Sequence, residues 1–168
     1  MLKIVGILTL ISSGILAGNM AALKLSARVR FIEEYMEFIK TLQNEIRYSG
    51  SHLEDILKEQ NGNGVFYQAL KKCLGYMNCG EAFPVAWKKT FSYPANNLPI
   101  SKTLSEIIVG FGLRLGTTDV DGQISNCEYS YESAIPYLQK AREEKRTKEK
   151  LYQIFGVCIG AAIALFLI

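Results

Sequence analysis

Residues 27–48 read ARVRFIEEYMEFIKTLQNEIRY, and their apolar side chains recur at steps of three and four. The members of this stripe are Ile32, Tyr35, Met36, Ile39, Leu42 and Ile46. Glu33, Glu37, Lys40 and Glu45 lie off the stripe. Such spacing puts apolar side chains on one face of an α-helix and charged ones on the other. The segment therefore predicts an amphipathic helix that buries one face.

Ser49 and Gly50 end this segment, and further helical signals follow them. Four shorter stretches carry helical spacing or helix-starting residues, and these are 51–59, 65–76, 80–91 and 101–115. Gly116 suits a left-handed cap, and Thr118 or Asp119 starts a last helix in which Pro136 predicts a kink and not an end. No segment alternates with strand period for more than a few residues. The sequence predicts an all-α fold, an antiparallel bundle of about six helices in which Trp87 is buried.

The two ends of the chain are uncharged. Residues 4–23 and 151–168 contain no Asp, Glu, Lys or Arg, and all 16 acidic residues lie between Glu33 and Glu149. Because a helix needs roughly 20 apolar residues, and at least about 17, to cross a bilayer, both runs are long enough to span it. We predict transmembrane helices at 1–25 and 151–168 around a domain at 26–150. A cleaved signal peptide is the alternative for the first run, whose apolar part exceeds the usual length of about 7–15 residues.

The basic residues near the two apolar runs predict the topology. Lys24, Arg28 and Arg30 follow the first run, and the segment from Arg142 to Lys150 precedes the second. Since Lys and Arg concentrate in cytosolic loops, the central domain is expected in the cytosol and both termini outside. The second basic segment has an additional possible role, which is contact with anionic lipid headgroups.

Small residues recur at steps of four in both apolar runs. The first run carries Gly14, Gly18 and Ala22, and the second carries Gly156, Gly160 and Ala164. This spacing puts small side chains on one helix face, where two membrane helices can approach closely. We expect the spans to pack on each other or on a partner along these faces. The alternative is that Gly and Ala are simply common in membrane helices.

Composition argues against several functional classes. The net charge is only +3 and basic residues are interleaved with acidic ones, so no nucleic-acid-binding face is expected. The four cysteines suit reduced thiols better than a disulfide framework. His52 lies beside Ser51 in a predicted helix start and lacks a neighbouring nucleophile with supporting sequence context. Cys73 and Cys79 lack a second ligand pair, and no phosphate-binding glycine loop is present. We therefore predict no catalytic, metal-binding or cofactor-binding residues, and no enzymatic activity.

Three short motifs carry a family resemblance. They are Glu45-Ile-Arg-Tyr48 followed by Leu53, Leu115-Gly-Thr-Thr-Asp119 followed by Gln123, and Lys150-Leu-Tyr152 followed by Gly156 and Gly160. In this order, between two terminal apolar runs, they resemble stage III sporulation protein AB of endospore-forming bacteria. That family is similar in fold to the cytosolic F domain of the inner-membrane platform protein of type II secretion and type IV pilus machines.

The resemblance implies a function and partners. The implied role is a non-enzymatic platform subunit of the channel complex between mother cell and forespore, in the mother cell membrane facing the forespore. The implied partners are membrane lipid, a stage III sporulation AA-type motor ATPase and other membrane subunits of the channel. The alternative from another class is a membrane-anchored helical regulator or sensor that binds a ligand or a signalling protein.

Four motif residues are candidates for a structural or a docking role. Glu45 and Tyr48 lie at the end of one predicted helix, and Asp119 and Gln123 lie at the start of another. Helix ends are positions where side chains satisfy free backbone groups, which favours the structural role. Asp119 in particular suits a helix cap.

Overall fold

The computed structural model describes the backbone at residues 2–48, 53–60 and 62–166. Side chains are described at residues 16, 19–48, 55–60, 62–94, 96–148, 150–151, 154 and 158. The helices are α1 (Leu2–Tyr48), α2 (Leu53–Glu59), α3 (Val65–Asn78), α4 (Phe83–Phe91), α5 (Lys102–Arg114) and α6 (Val120–Phe166), with a 3-10 turn at Ala95–Asn97. No strand occurs in the described backbone. The prediction of an all-α chain with about six helices is confirmed.

The chain divides into two compact units. One is Arg30–Gln139, and the other combines Met1–Val29 with Lys140–Ile168.

Among the described residues, no helix has both the length and the apolarity that a membrane crossing requires. The predicted flanking transmembrane helices are therefore not supported by this structure. Most side chains of the two predicted spans lie outside the described set.

The first and last helices are long and uninterrupted. Each contains 47 residues. As predicted, α1 continues from the uncharged run into the amphipathic segment, and α6 runs from its cap at Asp119 through the charged segment into the second apolar run. Pro136 lies inside α6 without ending it.

The core of the first unit is an aromatic cluster around α1. Phe31, Tyr35 and Phe38 on α1 are fully buried, as are Phe66 of α3 and Trp87 of α4. The indole Nε1 of Trp87 donates a hydrogen bond of 2.8 Å to the carbonyl oxygen of Ile108 on α5. The prediction that the single Trp is a buried packing residue is confirmed. Its buried N–H has the partner that burial demands.

A side chain from α1 stabilises the start of α3. Gly64 offers no side chain to cap this helix, and the Glu34 carboxylate accepts a 3.0 Å hydrogen bond from the backbone N–H of Phe66 instead. A carboxylate at a helix N-terminus satisfies a free amide and complements the helix dipole. Ser51 and Glu54 have the spacing of a capping box, and their side chains lie outside the described set.

Two helical glycines of α5 give a matched test of this packing. A Cβ at Gly112 meets the Trp87 ring, whereas a Cβ at Gly110 has no neighbour within 4 Å. We expect Gly112→Ala to lower the free energy of unfolding by about 1–3 kcal/mol through overpacking. Gly110→Ala is expected to raise it by about 0.5–1 kcal/mol through helix propensity. Denaturant unfolding of the two variants beside the parent chain measures both, and equal effects of one sign contradict the described packing.

Buried thiols predict a loss of stability at high pH. Burial raises the pKa of Cys127 from 9.0 to about 12 and that of Cys73 to about 11, and it also raises the pKa of Tyr35. The unfolded chain releases these protons at lower pH than the folded chain does. The stabilisation of the folded chain by the protonated thiols is thus complete below about pH 9, and it is lost as the pH rises toward 12.

We expect the free energy of unfolding to fall from pH 9 to pH 11, and to fall less steeply in Cys127→Ala. Unfolding of both chains in detergent, followed by circular dichroism across this pH range, measures the two slopes. Cys79, an exposed thiol on the same unit, provides the control variant Cys79→Ala, whose slope should match that of the parent chain. Identical slopes for all three chains contradict the prediction.

Candidate docking surfaces

The turn between α5 and α6 is held by one buried carboxamide. Gln123 is 6% exposed, and its Oε1 accepts a 2.9 Å hydrogen bond from the backbone N–H of Gly116. Its Nε2 donates to Thr118 Oγ1 at 2.8 Å and lies 3.3 Å from the carbonyl oxygen of Arg114. Gly116 has a φ of +77°, as its predicted role as a left-handed cap requires. The Gln123 side chain therefore substitutes for backbone partners that the turn lacks.

A second amide extends this network into the bundle. Asn126 accepts a 2.9 Å hydrogen bond from Arg114 Nε and donates one of 3.1 Å to the carbonyl oxygen of Phe111. The Arg114 guanidinium also lies over the Tyr129 ring, 5.2 Å from its centroid. Sequence reasoning missed Asn126. An asparagine three residues after Gln123 on a helix is a signal, because both amides then lie on one face.

Asp119 has the capping role that its position suggested. Its Oδ1 accepts a 3.0 Å hydrogen bond from the backbone N–H of Gly122, in the first turn of α6. A side-chain acceptor at this position satisfies an amide that has no partner inside the helix. The structure thus places Asp119 and Gln123 in the same turn and gives both of them structural contacts.

Glu45 and Tyr48 occupy a different environment. Glu45 is half-buried near the end of α1, and Tyr48, its last residue, is 80% exposed. An aromatic side chain with so much exposed surface contributes little to the core. Tyr48 and Asp119 are the exposed members of the four motif residues, and Tyr48 is the one that presents a large apolar side chain.

The predicted small-residue faces lie mostly outside the described side chains. This applies to Gly14, Gly18, Gly156, Gly160 and Ala164, whose backbones belong to α1 and α6. Ala22, the remaining member, is buried. In the same unit, Arg28 of α1 forms a 3.0 Å ion pair with Glu144 of α6. The two terminal helices are therefore joined by at least one polar contact.

Part of α1 exposes apolar side chains. Leu16, Met20 and Leu23 are 63%, 63% and 67% exposed. Their spacing by four and three residues places them on one helix face. On α6 of the same unit, Leu151 and Ile154 are also exposed. Clustered exposed apolar residues mark a surface that meets lipid or another protein.

The outer surface of α4 and the end of α5 form a groove of about 480 Å³, which we call the α4–α5 groove. Its lining residues are Pro84, Val85, Lys88, Lys89, Ser92 and Leu113. A smaller groove of about 300 Å³ lies between α1 and α6, and its lining residues are Glu33, Met36, Glu37, Lys40, Tyr131 and Leu138. In the smaller groove the Lys40 ammonium lies over the Tyr131 ring, 4.8 Å from its centroid. Sequence reasoning identified neither groove.

The described residues include no cluster of three or more His, Cys, Asp or Glu side chains suited to a metal ion. Cys73 and Cys127 are buried thiols with raised pKa values, so neither is an activated nucleophile. His52 lies outside the described residues.

Comparison with known proteins identifies the family. The family model described as stage III sporulation protein AB matches residues 3–168. The chain belongs to this family. The resemblance carried by the three short motifs is thus confirmed, and membership indicates a role in stage III of sporulation as a component of a sporulation complex. Searches of curated proteins and of solved structures return no significant match.

Two motif residues give contrasting predictions for the free energy of unfolding. Gln123→Ala leaves the backbone N–H of Gly116 without its partner, and we expect the free energy of unfolding to fall by about 1–3 kcal/mol. Tyr48→Ala removes an exposed ring, and we expect a change below about 0.5 kcal/mol. Thermal and denaturant unfolding of the full chain in detergent measure both changes. A Tyr48 variant as unstable as the Gln123 variant contradicts the assignment of Tyr48 to the surface.

Proposed function

We propose that the chain is a non-enzymatic membrane platform subunit of the channel complex between mother cell and forespore, and that it docks a motor ATPase. The supporting observation is membership of the stage III sporulation protein AB family across residues 3–168. The family is one of sporulation assembly and not a known enzyme family. A motor ATPase is the partner implied by the resemblance to the platform domain of type II secretion machines.

The long helices suit such a role. α1 and α6 contribute residues both to the bundle unit and to the unit formed by the chain ends. A platform subunit has to connect the domain that a motor contacts to the segments that anchor it, and a helix that belongs to both units provides this connection along the chain.

Membrane anchoring through residues 1–25 and 151–168 is part of the proposal. The exposed apolar face formed by Leu16, Met20 and Leu23 supports it, since lipid removes such a face from water. Lys24 and Arg28 follow that face directly and favour a cytosolic position for residues 26–150, with both termini outside. Within the membrane, the small-residue faces would pack on each other or on other channel subunits.

The test uses the full-length chain reconstituted in vesicles of phosphatidylethanolamine and phosphatidylglycerol. We expect the cognate stage III sporulation ATPase to sediment with these vesicles in proportion to the amount of chain present. The chain itself should stay with the vesicles after an alkaline carbonate wash, because apolar insertion does not depend on charge.

One control and two possible outcomes separate the parts of this proposal. Vesicles without the chain measure direct binding of the ATPase to lipid. Release of the chain by the carbonate wash would overturn the membrane anchor. A stably embedded chain that recruits no ATPase would overturn motor docking and leave the anchor standing.

A further inference from the structure

The α4–α5 groove combines exposed apolar side chains with lysines. Val85 is 57% exposed and Leu113 is 42% exposed, one on each of the two helices. Lys88 and Lys89 lie beside them on α4. Apolar side chains flanked by charge on one concave surface are typical of a groove that receives an amphipathic helix.

The groove is preformed because its two walls are fixed to each other from the inside. Trp87 of α4 donates its 2.8 Å hydrogen bond to the carbonyl oxygen of Ile108 on α5. Ser105 of α5 donates one of 2.6 Å to the carbonyl oxygen of Phe91 on α4. Both bonds are buried, so the spacing of the helices does not depend on an occupant. A preformed site loses less conformational entropy on binding.

The charge around the groove is positive. α4 contains two lysines and no acidic residue. Lys89 forms a 2.7 Å ion pair with Glu81 and lies over the Tyr76 ring, 4.1 Å from its centroid. Lys88 is exposed, and its ammonium has no hydrogen-bond or ion-pair partner among the described residues. One uncompensated positive charge therefore remains at the rim and favours a carboxylate on the partner.

We propose that the α4–α5 groove is the docking site for an amphipathic helix of the motor ATPase, an inference that rests on the proposed function. Apolar side chains of that helix enter between Val85 and Leu113, and a flanking Asp or Glu pairs with Lys88. A second copy of this chain is a poorer occupant through the same surface, because the lysines of two α4 helices would repel each other.

The first test changes the apolar wall. Val85→Glu puts a carboxylate into the groove at an exposed position in the first turns of α4, where negative charge is compatible with the helix dipole. Val120→Glu is the matched control, since Val120 is 53% exposed in the first turn of α6 and does not line the groove. With the full-length chain in vesicles, we expect Val85→Glu to weaken ATPase binding about tenfold and Val120→Glu to change it by less than about twofold.

The second test changes the charge. Lys88→Glu replaces attraction by repulsion, and we expect binding to weaken about fivefold or more and to become less sensitive to salt. Lys71→Glu, a reversal at an exposed lysine of α3 that does not line the groove, is the control and is expected to bind like the parent chain. Circular dichroism of all four variants reports whether the fold is retained.

The outcomes separate the two proposals. If the parent chain binds the ATPase and both groove variants bind equally well, the groove assignment is overturned and the proposed function stands. If the parent chain recruits no ATPase, the proposed function loses its motor and the groove assignment falls with it. Self-association of the chain that Val85→Glu abolishes would assign the groove to a second copy and overturn the proposal.

Discussion

Burial of the inner face of α1 is the constraint on which the rest of the bundle depends. Phe31, Tyr35 and Phe38 project from consecutive turns and are wholly removed from water. Phe66 of α3 contacts all three rings, with centroid separations of 5.2–5.6 Å. Each fully buried large apolar side chain contributes roughly 1.5–3 kcal/mol, which makes this face a large source of stability. The shorter helices are positioned by what they place against it.

Several polar side chains of this bundle act at helix ends. Glu34 caps α3 from α1, Ser101 caps α5, and Gln123 and Asp119 complete the turn into α6. Loss of a capping side chain typically costs about 0.5–2 kcal/mol, so each of these side chains favours one path for the chain. The contacts of Asp119 and Gln123 therefore explain the structural role of these two motif residues, whereas Tyr48 remains exposed and open to a partner.

The groove on α4 follows from the same packing. Trp87 and Phe91 lock one face of a nine-residue helix into the aromatic cluster, with their ring centroids 4.4 Å apart. The opposite face then has to present Val85, Lys88 and Lys89 outward. A rigid interior and an exposed groove are thus two faces of a single short segment.

Local sequence signals determined where the helices begin and end. The apolar stripe of α1, Pro84 in the first turn of α4, and Gly116 after α5 predicted their elements correctly, because helical period, proline geometry and left-handed glycine act within a few residues. The three short motifs that carry the family resemblance were also recognisable from the sequence alone. The sequence did not show which group each side chain contacts within the fold. Glu34 meets Phe66 and Trp87 meets Ile108 and Gly112 only after distant segments have packed. The α4–α5 groove likewise exists only between two helices, so tertiary structure alone decided which residues line it.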